Sequence, residues 1–210
     1  MLAAFDVKCR HSRLQWMILI LRRWGCLVDD YCQAHDNDVP YHYSERTNVG
    51  LLGAAAWAVG SGAGSVLEYA CIRRSQDGRM AGWADLYLYD RTNSATIEAK
   101  QLYVRAGVGP AQVNKALILA NGQAVTNRDS DTAVAAVFLT LKVAGSEAVE
   151  ASCQSLVQAV VGSDAHAWAW AFPRSKQNFC DAERGSGRKF RWPGVVVGLR
   201  VAHGGYGQTR

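Results

Sequence analysis

The sequence lacks the cysteine patterns of zinc fingers and of small disulfide-stabilised proteins. Its six cysteines include no C-x-x-C pair, and no histidine flanks them at finger spacing. A chain of 210 residues is long enough to be stabilised by its own hydrophobic core. We therefore expect free thiols, no structural zinc site and a cytoplasmic location.

Long apolar runs and phosphate-binding loops are also missing. The apolar stretch from Leu14 to Leu21 is too short to cross a membrane, and Arg22 and Arg23 follow it with no small-residue cleavage site. We therefore expect neither a secretory leader nor a membrane partner. The glycine-rich stretch 60–64 is not followed by a helix that could cradle a phosphate, which argues against a P-loop nucleotide hydrolase.

The composition favours one globular domain with a modest positive charge. Hydrophobic residues make up 49% of the chain and charged residues 20%, values that exclude a disordered or fibrous protein. The net charge of +5 is compatible with an anionic partner such as nucleic acid. Because we find no internal repeat or linker, we interpret 1–210 as a single domain. We divide it into an N-terminal helical extension (1–40), a core (44–143) and an additional region (145–210). The N-terminal helix could be a homodimer surface or a cover for the sheet.

The hydrophobic periodicities predict an α/β fold with a mixed central sheet flanked by helices. Ser44 can cap a helix that stops near Gly60. Gly122 is the expected stop of a later helix. The predicted helices are 12–32, 44–60, 109–120 and 146–161, and the predicted strands are 66–72, 81–89, 94–104, 133–143, 165–172 and 194–201.

The hairpin formed by the second and third predicted strands brings acidic residues together. A loop with an even number of residues pairs Leu86 with Ile97 on the apolar side of the sheet. In that register Asp85 lies directly opposite Glu98, and Lys100 lies farther along the same face. Opposed carboxylates repel each other, so such a pair persists more readily with a cation between them. Carboxylate oxygens are ligands that suit Mg²⁺.

Asp85, followed after one hairpin by Glu98-Ala99-Lys100, resembles the PD-(D/E)XK nuclease superfamily, which has the restriction-endonuclease-like fold. The resemblance covers 44–143, where a helix, three strands, a helix and a strand occur in that family's order. It implies that Asp85, Glu98 and the carbonyl of Ala99 bind Mg²⁺ or Mn²⁺. It also implies that Lys100 activates or orients the attacking water.

The same resemblance suggests two further site residues. Some members add a glutamate from the preceding helix, and Glu45 is the matching candidate for a catalytic residue here. Gln112, on the helix after the motif, matches a glutamine that contacts the substrate in some branches. The departure from the family's pattern is Ala84, which stands where many members have a proline.

A basic segment from Pro173 to Pro193 is predicted to be a loop that contacts nucleic acid. Arginine and lysine side chains can neutralise phosphates while aromatic rings between them stack on bases. The alternative is an ordinary solvated loop with a tryptophan anchored in the core. The candidate phosphate-binding residues are Arg184, Arg188, Lys189 and Arg191, and the interleaved aromatic residues are Phe190 and Trp192.

These observations predict a Mg²⁺-dependent nuclease that hydrolyses phosphodiester bonds of nucleic acid, with DNA as the expected substrate. Two alternatives stay open. The acidic pair and Lys100 could form a solvent-facing ion-pair network on one sheet face. The chain could also be a non-catalytic protein of the same fold that binds nucleic acid or a protein partner, for example as an immunity or regulatory module.

Overall fold

One mixed β-sheet with helices on both faces organises the chain. The computed structural model describes residues 3–60, 62–75, 78–127, 130–145, 148–176, 179–183 and 185–202. The helices of this described part are α1 (Ile18–Ala34), α2 (Glu45–Val59), α3 (Pro110–Ala124) and α4 (Val149–Val161). Its strands are β1 (Phe5–Cys9), β2 (Gly64–Ser75), β3 (Gly78–Tyr89), β4 (Ser94–Val104), β5 (Thr132–Val143), β6 (Ala167–Ala171), β7 (Cys180–Ala182) and β8 (Lys189–Val201).

The strand order across the sheet is β1-β6-β8-β5-β4-β3-β2, and β7 pairs with β8 beside this path. The pair β4–β5 is parallel, and the other paired strands are antiparallel. The parallel pair needs a crossover connection, which α3 provides. Consequently β4 lies between a parallel and an antiparallel neighbour near the middle of the sheet.

Two hydrophobic layers hold the helices against the sheet. On one face α1 and α2 cover the alternate side chains of β4 that include Ile97 and Ala99. On the other face α3 and α4 cover Val137 and Leu139 of β5. The alternation follows from the period of two residues in a strand, which sends neighbouring side chains to opposite faces. None of the helices in the described segments is long and apolar enough to cross a lipid bilayer.

The structure confirms the predicted α/β class and the order helix, three strands, helix, strand from α2 to β5. The Ser44 hydroxyl accepts a hydrogen bond from the Thr47 amide at 3.3 Å and thereby caps α2 as expected. The hairpin register is also confirmed, since Leu86 pairs with Ile97. Gly122 does not stop α3, which continues to Ala124.

Two predictions about the ends of the chain are wrong. The N-terminal extension is not only helical, because β1 within it pairs with β6 and forms one edge of the sheet. The segment from Pro173 to Pro193 is not one long loop, since it contains β7 and the first residues of β8. Within it Phe190 and Trp192 are 6% and 1% exposed, so they pack in the core and are closed to nucleic-acid bases.

Candidate active site

The sheet is distorted around Asp85. The β3–β4 ladder runs from Tyr89 back to Leu86 and ends there, so Asp85 has no ladder partner on β4. On the other side, the β2–β3 ladder skips the position of Glu68, which has a left-handed φ of 47°. The register is the same on both sides of this position, since Leu67 pairs with Leu86 and Tyr69 with Ala84. Asp85 therefore lies outside both ladders, at a split between β3 and β4.

Side chains take over the hydrogen bonds that β3 would have made to β4. Alternate residues of an antiparallel strand direct both their N–H and their C=O groups at the same neighbour. The Ala99 amide therefore points into the split, where it donates to Asp85 Oδ2 at 2.7 Å. The Ala99 carbonyl accepts from Lys100 Nζ at 2.7 Å, and the Gln101 amide donates to Glu45 Oε2 at 2.9 Å.

Glu45 reaches this split from the first turn of α2. Its Oε1 atom lies 4.0 Å from Lys100 Nζ, and the side chains of both residues are 33% exposed. Burial raises the pKa of Glu45, and the negative charge of Asp85 raises it further. Lys100 and the Gln101 amide act against these effects, but the pKa remains above its ordinary value.

Glu98 points to the opposite face of β4 from Ala99 and is only 2% exposed. Its Oε1 atom accepts hydrogen bonds from an Arg73 guanidinium nitrogen at 2.6 Å and from Asn127 Nδ2 at 2.9 Å. Burial raises the pKa of Glu98, although Asn127, Arg73 and Lys100 oppose the shift. The expected face-to-face pairing with Asp85 is not part of the ladder, yet the charge of Asp85 also contributes to raising this pKa.

Arg73 reaches Glu98 from β2 by crossing β3. Gly82 makes this path possible, since a Cβ atom at that position would lie 2.6 Å from Arg73 Cδ and 2.7 Å from its Nε. The guanidinium also donates to the carbonyl of Trp83. Cys71 contacts the other partner of Glu98, because its Sγ atom donates to Asn127 Oδ1 at 3.3 Å.

The donor atoms at the split suit a hard divalent cation. Asp85, Glu45 and the Ala99 carbonyl supply oxygen ligands, which Mg²⁺ and Mn²⁺ prefer. Asp85 Oδ1 accepts no hydrogen bond from the residues that the structure describes. In those residues, no group of three or more His, Cys, Asp or Glu side chains could hold an ion together. Mg²⁺ commonly takes only one or two carboxylates and completes its shell with water and phosphate, so the residues present fit.

Gln112 lies in a groove that begins at Lys100. The groove has a volume of about 660 Å³ and lies between the second half of β4 and the first half of α3. Gln112 is exposed at its rim, and its Oε1 atom accepts a hydrogen bond from the Gly109 amide at 3.0 Å. The predicted substrate-side residue therefore shares one concave surface with the lysine of the motif.

The basic residues near β8 do not line this groove. Arg188 and Lys189 are exposed at the turn between β7 and β8. Arg191 donates to the carbonyls of Ala144 and Gly145, at 3.1 Å each. Arg184, the remaining predicted phosphate-binding residue, lies outside the described residues.

The sequence interpretation brought Asp85, Ala99, Lys100 and Glu45 to one place, but it missed two partners of Glu98. Arg73 lies on β2, and no motif in the sequence indicates how β2 pairs with β3. Asn127 follows the end of α3, where the sequence pattern does not indicate a direction for the side chain. The sequence indicates the groove only weakly: Lys115 lies one helical turn after Gln112 and therefore shares its helix face.

The chain was compared with protein-family models, with curated proteins and with solved structures, and none of the three comparisons found a match.

Proposed function

We infer that the protein is a divalent-metal-dependent nuclease whose site is the split between β3 and β4. The observation that carries this proposal is the arrangement around Ala99. Its amide is held by Asp85, its carbonyl by Lys100, and the next amide in the split by Glu45. Two carboxylates, a backbone carbonyl and a lysine thus converge where the sheet exposes backbone polar groups.

Asp85, Glu45 and the carbonyl of Ala99 would hold Mg²⁺ or Mn²⁺. When bound, the ion would lower the pKa of a coordinated water and neutralise charge on the scissile phosphate. The backbone amides of Ala99 and Gln101 orient the two carboxylates through bonds of 2.7 and 2.9 Å. Such backbone bonds restrict the rotation of both side chains and so set the direction of the remaining oxygens.

Lys100 supplies the positive charge of the site. Its amino group lies 2.7 Å from the Ala99 carbonyl and 4.0 Å from Glu45. The side chain is 33% exposed, so solvent reaches it from the groove side. In this position the lysine orients an attacking water and stabilises negative charge on the phosphate oxygens.

A non-catalytic nucleic-acid-binding protein is the second candidate, and two contacts favour it. Arg73 already neutralises Glu98, and Lys100 already occupies a lone pair of the Ala99 carbonyl. Both contacts lie where the resemblance expects ligands of the metal ion. A site completed by two resident cations could keep its shape without a divalent ion.

Cleavage assays separate the two candidates. We expect the full chain to cut DNA with Mg²⁺ or Mn²⁺ and not with EDTA. Asp85→Asn and Lys100→Met should each lower the rate by about a hundredfold or more, because each removes a group that acts on the reacting water or phosphate.

The matched controls are Asp29→Asn and Lys8→Met, which make the same chemical changes away from the split. Asp29 lies on α1 and Lys8 on β1. Both controls should retain the rate. Failure to cleave single-stranded DNA, duplex DNA and RNA with either metal would overturn the enzymatic proposal, as would equal losses in controls and site variants.

A further inference from the structure

The groove that begins at Lys100 combines positive charge with exposed apolar side chains. Its volume of about 660 Å³ lies within the usual range of ligand pockets. It extends from Lys100 along β4 to the loop before α3, so it is continuous with the split at Ala99. A ligand that fills the groove can therefore also reach the candidate metal ligands.

The charged side chains of the groove are all cationic. Lys100, Arg105, Lys115 and Lys142 line it, and no aspartate or glutamate is among the described lining residues. Glu183 lies just outside and forms an ion pair with Lys142. Arg105 and Lys115 are exposed and can contact an anionic ligand, and the Arg105 guanidinium also lies 5.3 Å from the centre of the buried Phe190 ring.

Exposed apolar side chains border the groove. Val104, Val108 and Leu139 also line it but are at most 8% exposed, so a ligand reaches little of their surface. Leu102, Tyr103 and Leu119 are 37%, 43% and 61% exposed, so they offer hydrophobic area to a ligand. A ligand made only of phosphates would leave this area in contact with water.

We propose that the groove binds a single strand of nucleic acid and leads it to the split at Ala99. Phosphates of the strand contact Arg105 and Lys115, while one or more unpaired bases cover the exposed side chains of Tyr103 and Leu119. Base contact with aromatic and apolar side chains, next to cations that follow the backbone, is the usual mode of single-strand binding. This inference rests on the proposed function only in that the bound strand would be cut beside Lys100. Binding of the strand in the groove does not depend on cleavage.

A duplex does not satisfy the same groove. Its base faces are stacked on one another and its outer surface consists of phosphates and groove edges. A duplex could contact the cations but could not place a base face on Tyr103 and Leu119 without local opening. The groove therefore discriminates against intact duplex at the cost of the unstacking energy.

Binding of short oligonucleotides in EDTA tests the proposal without any cleavage. The probes are fluorescent oligothymidylate of about twelve nucleotides, its RNA counterpart and a duplex of equal length. The wild-type chain should bind a single strand more tightly than the duplex. Arg105→Gln combined with Lys115→Gln should weaken single-strand binding by about tenfold or more at moderate salt, and should reduce the salt slope by about 1.4.

The control is the double variant Arg22→Gln with Arg79→Gln, which also loses two positive charges. Arg22 lies on α1, on the other side of the sheet, and Arg79 lies at the far end of β3. All four substituted residues are exposed, so each variant should keep the thermal stability of the wild type. Equal weakening by both double variants would overturn the groove assignment, as would equal or tighter binding of the duplex.

Failure of the groove and failure of the nuclease proposal give different results. A chain that binds single strands through Arg105 and Lys115 but cuts no nucleic acid with Mg²⁺ or Mn²⁺ keeps the groove and loses the nuclease. A chain whose cleavage depends on Asp85 but does not respond to the two groove substitutions keeps the nuclease and loses the groove.

Discussion

Arg73 on β2 donates a 2.6 Å hydrogen bond to Glu98 on β4, across the strand that separates them. The glutamate is nearly fully buried, and its neighbour Asn127 is neutral. The arginine is therefore its closest compensating charge in the described part of the chain. Burying a carboxylate without such a partner has a high free-energy cost, so Arg73 supplies the positive charge that stabilises Glu98 in the folded protein.

Replacement of Arg73 by methionine should therefore destabilise the metal-free protein. We expect a loss of about 2–3 kcal/mol in the free energy of unfolding, because a buried carboxylate keeps only its amide partner. Chemical denaturation of both proteins in EDTA measures this loss. Arg79→Met on the neighbouring strand is the control and should stay within about 0.5 kcal/mol of wild type. A loss for Arg73→Met as small as that of the control would contradict the role assigned to Arg73.

The close approach of Arg73 to Gly82 gives a second expectation. Gly82→Ala should destabilise the protein by about 1–3 kcal/mol, because the added Cβ forces the guanidinium away from Glu98. In an Arg73→Ala background the same methyl group has room, and alanine is at least as favourable as glycine in a strand. A double-mutant cycle by urea denaturation should therefore give a coupling energy above about 1 kcal/mol. Additive effects of the two substitutions on the free energy of unfolding would contradict the close packing of the Arg73 side chain on Gly82.

Glu45 makes the stability depend on pH in a defined direction. Burial raises the pKa of Glu45 above its ordinary value of 4.5, so the folded state binds this proton more tightly than the unfolded state. The resulting stability is complete below pH 4.5 and is lost as the pH rises through the raised pKa. Glu45→Gln removes the titration and still accepts the Gln101 amide. The stability of this variant relative to wild type should therefore be higher at pH 7 than at pH 4, as measured by denaturation in EDTA. A pH-independent difference would contradict the assigned shift.

Trp192 belongs to the core rather than to a nucleic-acid surface. Its ring packs 4.5 Å from that of His42, and its carbonyl accepts the Tyr41 hydroxyl at 2.8 Å. Trp192→Ala should lower the free energy of unfolding by about 3–5 kcal/mol, as expected for a buried aromatic residue. The exposed residue Lys189 provides the control. Lys189→Gln should change the free energy of unfolding by about 0.5 kcal/mol or less. Similar small effects of both substitutions would contradict the packing described for β8.

The hairpin of the candidate site could be predicted from sequence because local rules determine it. Turn residues at 90–93 and alternating apolar residues fix the pairing of Leu86 with Ile97. The ladder between β3 and β4 ends beside this pair, and no turn residue marks that end in the sequence. Local patterns do not encode such a distortion, and so the acidic pair was expected in a continuous ladder.

Long-range partners explain the remaining errors. The strand β1 is short, and its pairing with β6 joins residues far apart in sequence. The basic segment near the carboxyl terminus looked like a loop because Pro193 and its charges mark a break, yet β8 continues through that proline. Phe190 and Trp192 both pack in the core. A tryptophan anchored in the core was the alternative that the sequence alone left open. Burial depends on the whole sheet, which no window of neighbouring residues contains.

The most direct test of the metal site is the anomalous difference density of a crystal grown with Mn²⁺. We expect one peak in the split, at roughly 2.1 Å from a carboxylate oxygen of Asp85 and from the carbonyl oxygen of Ala99. The Lys100 amino group should then have moved away from that carbonyl. A crystal of the Asp85→Asn variant should lose the peak. Density at other carboxylates only, or an unchanged contact between Lys100 and Ala99 with no peak beside them, would contradict a divalent ion at this site.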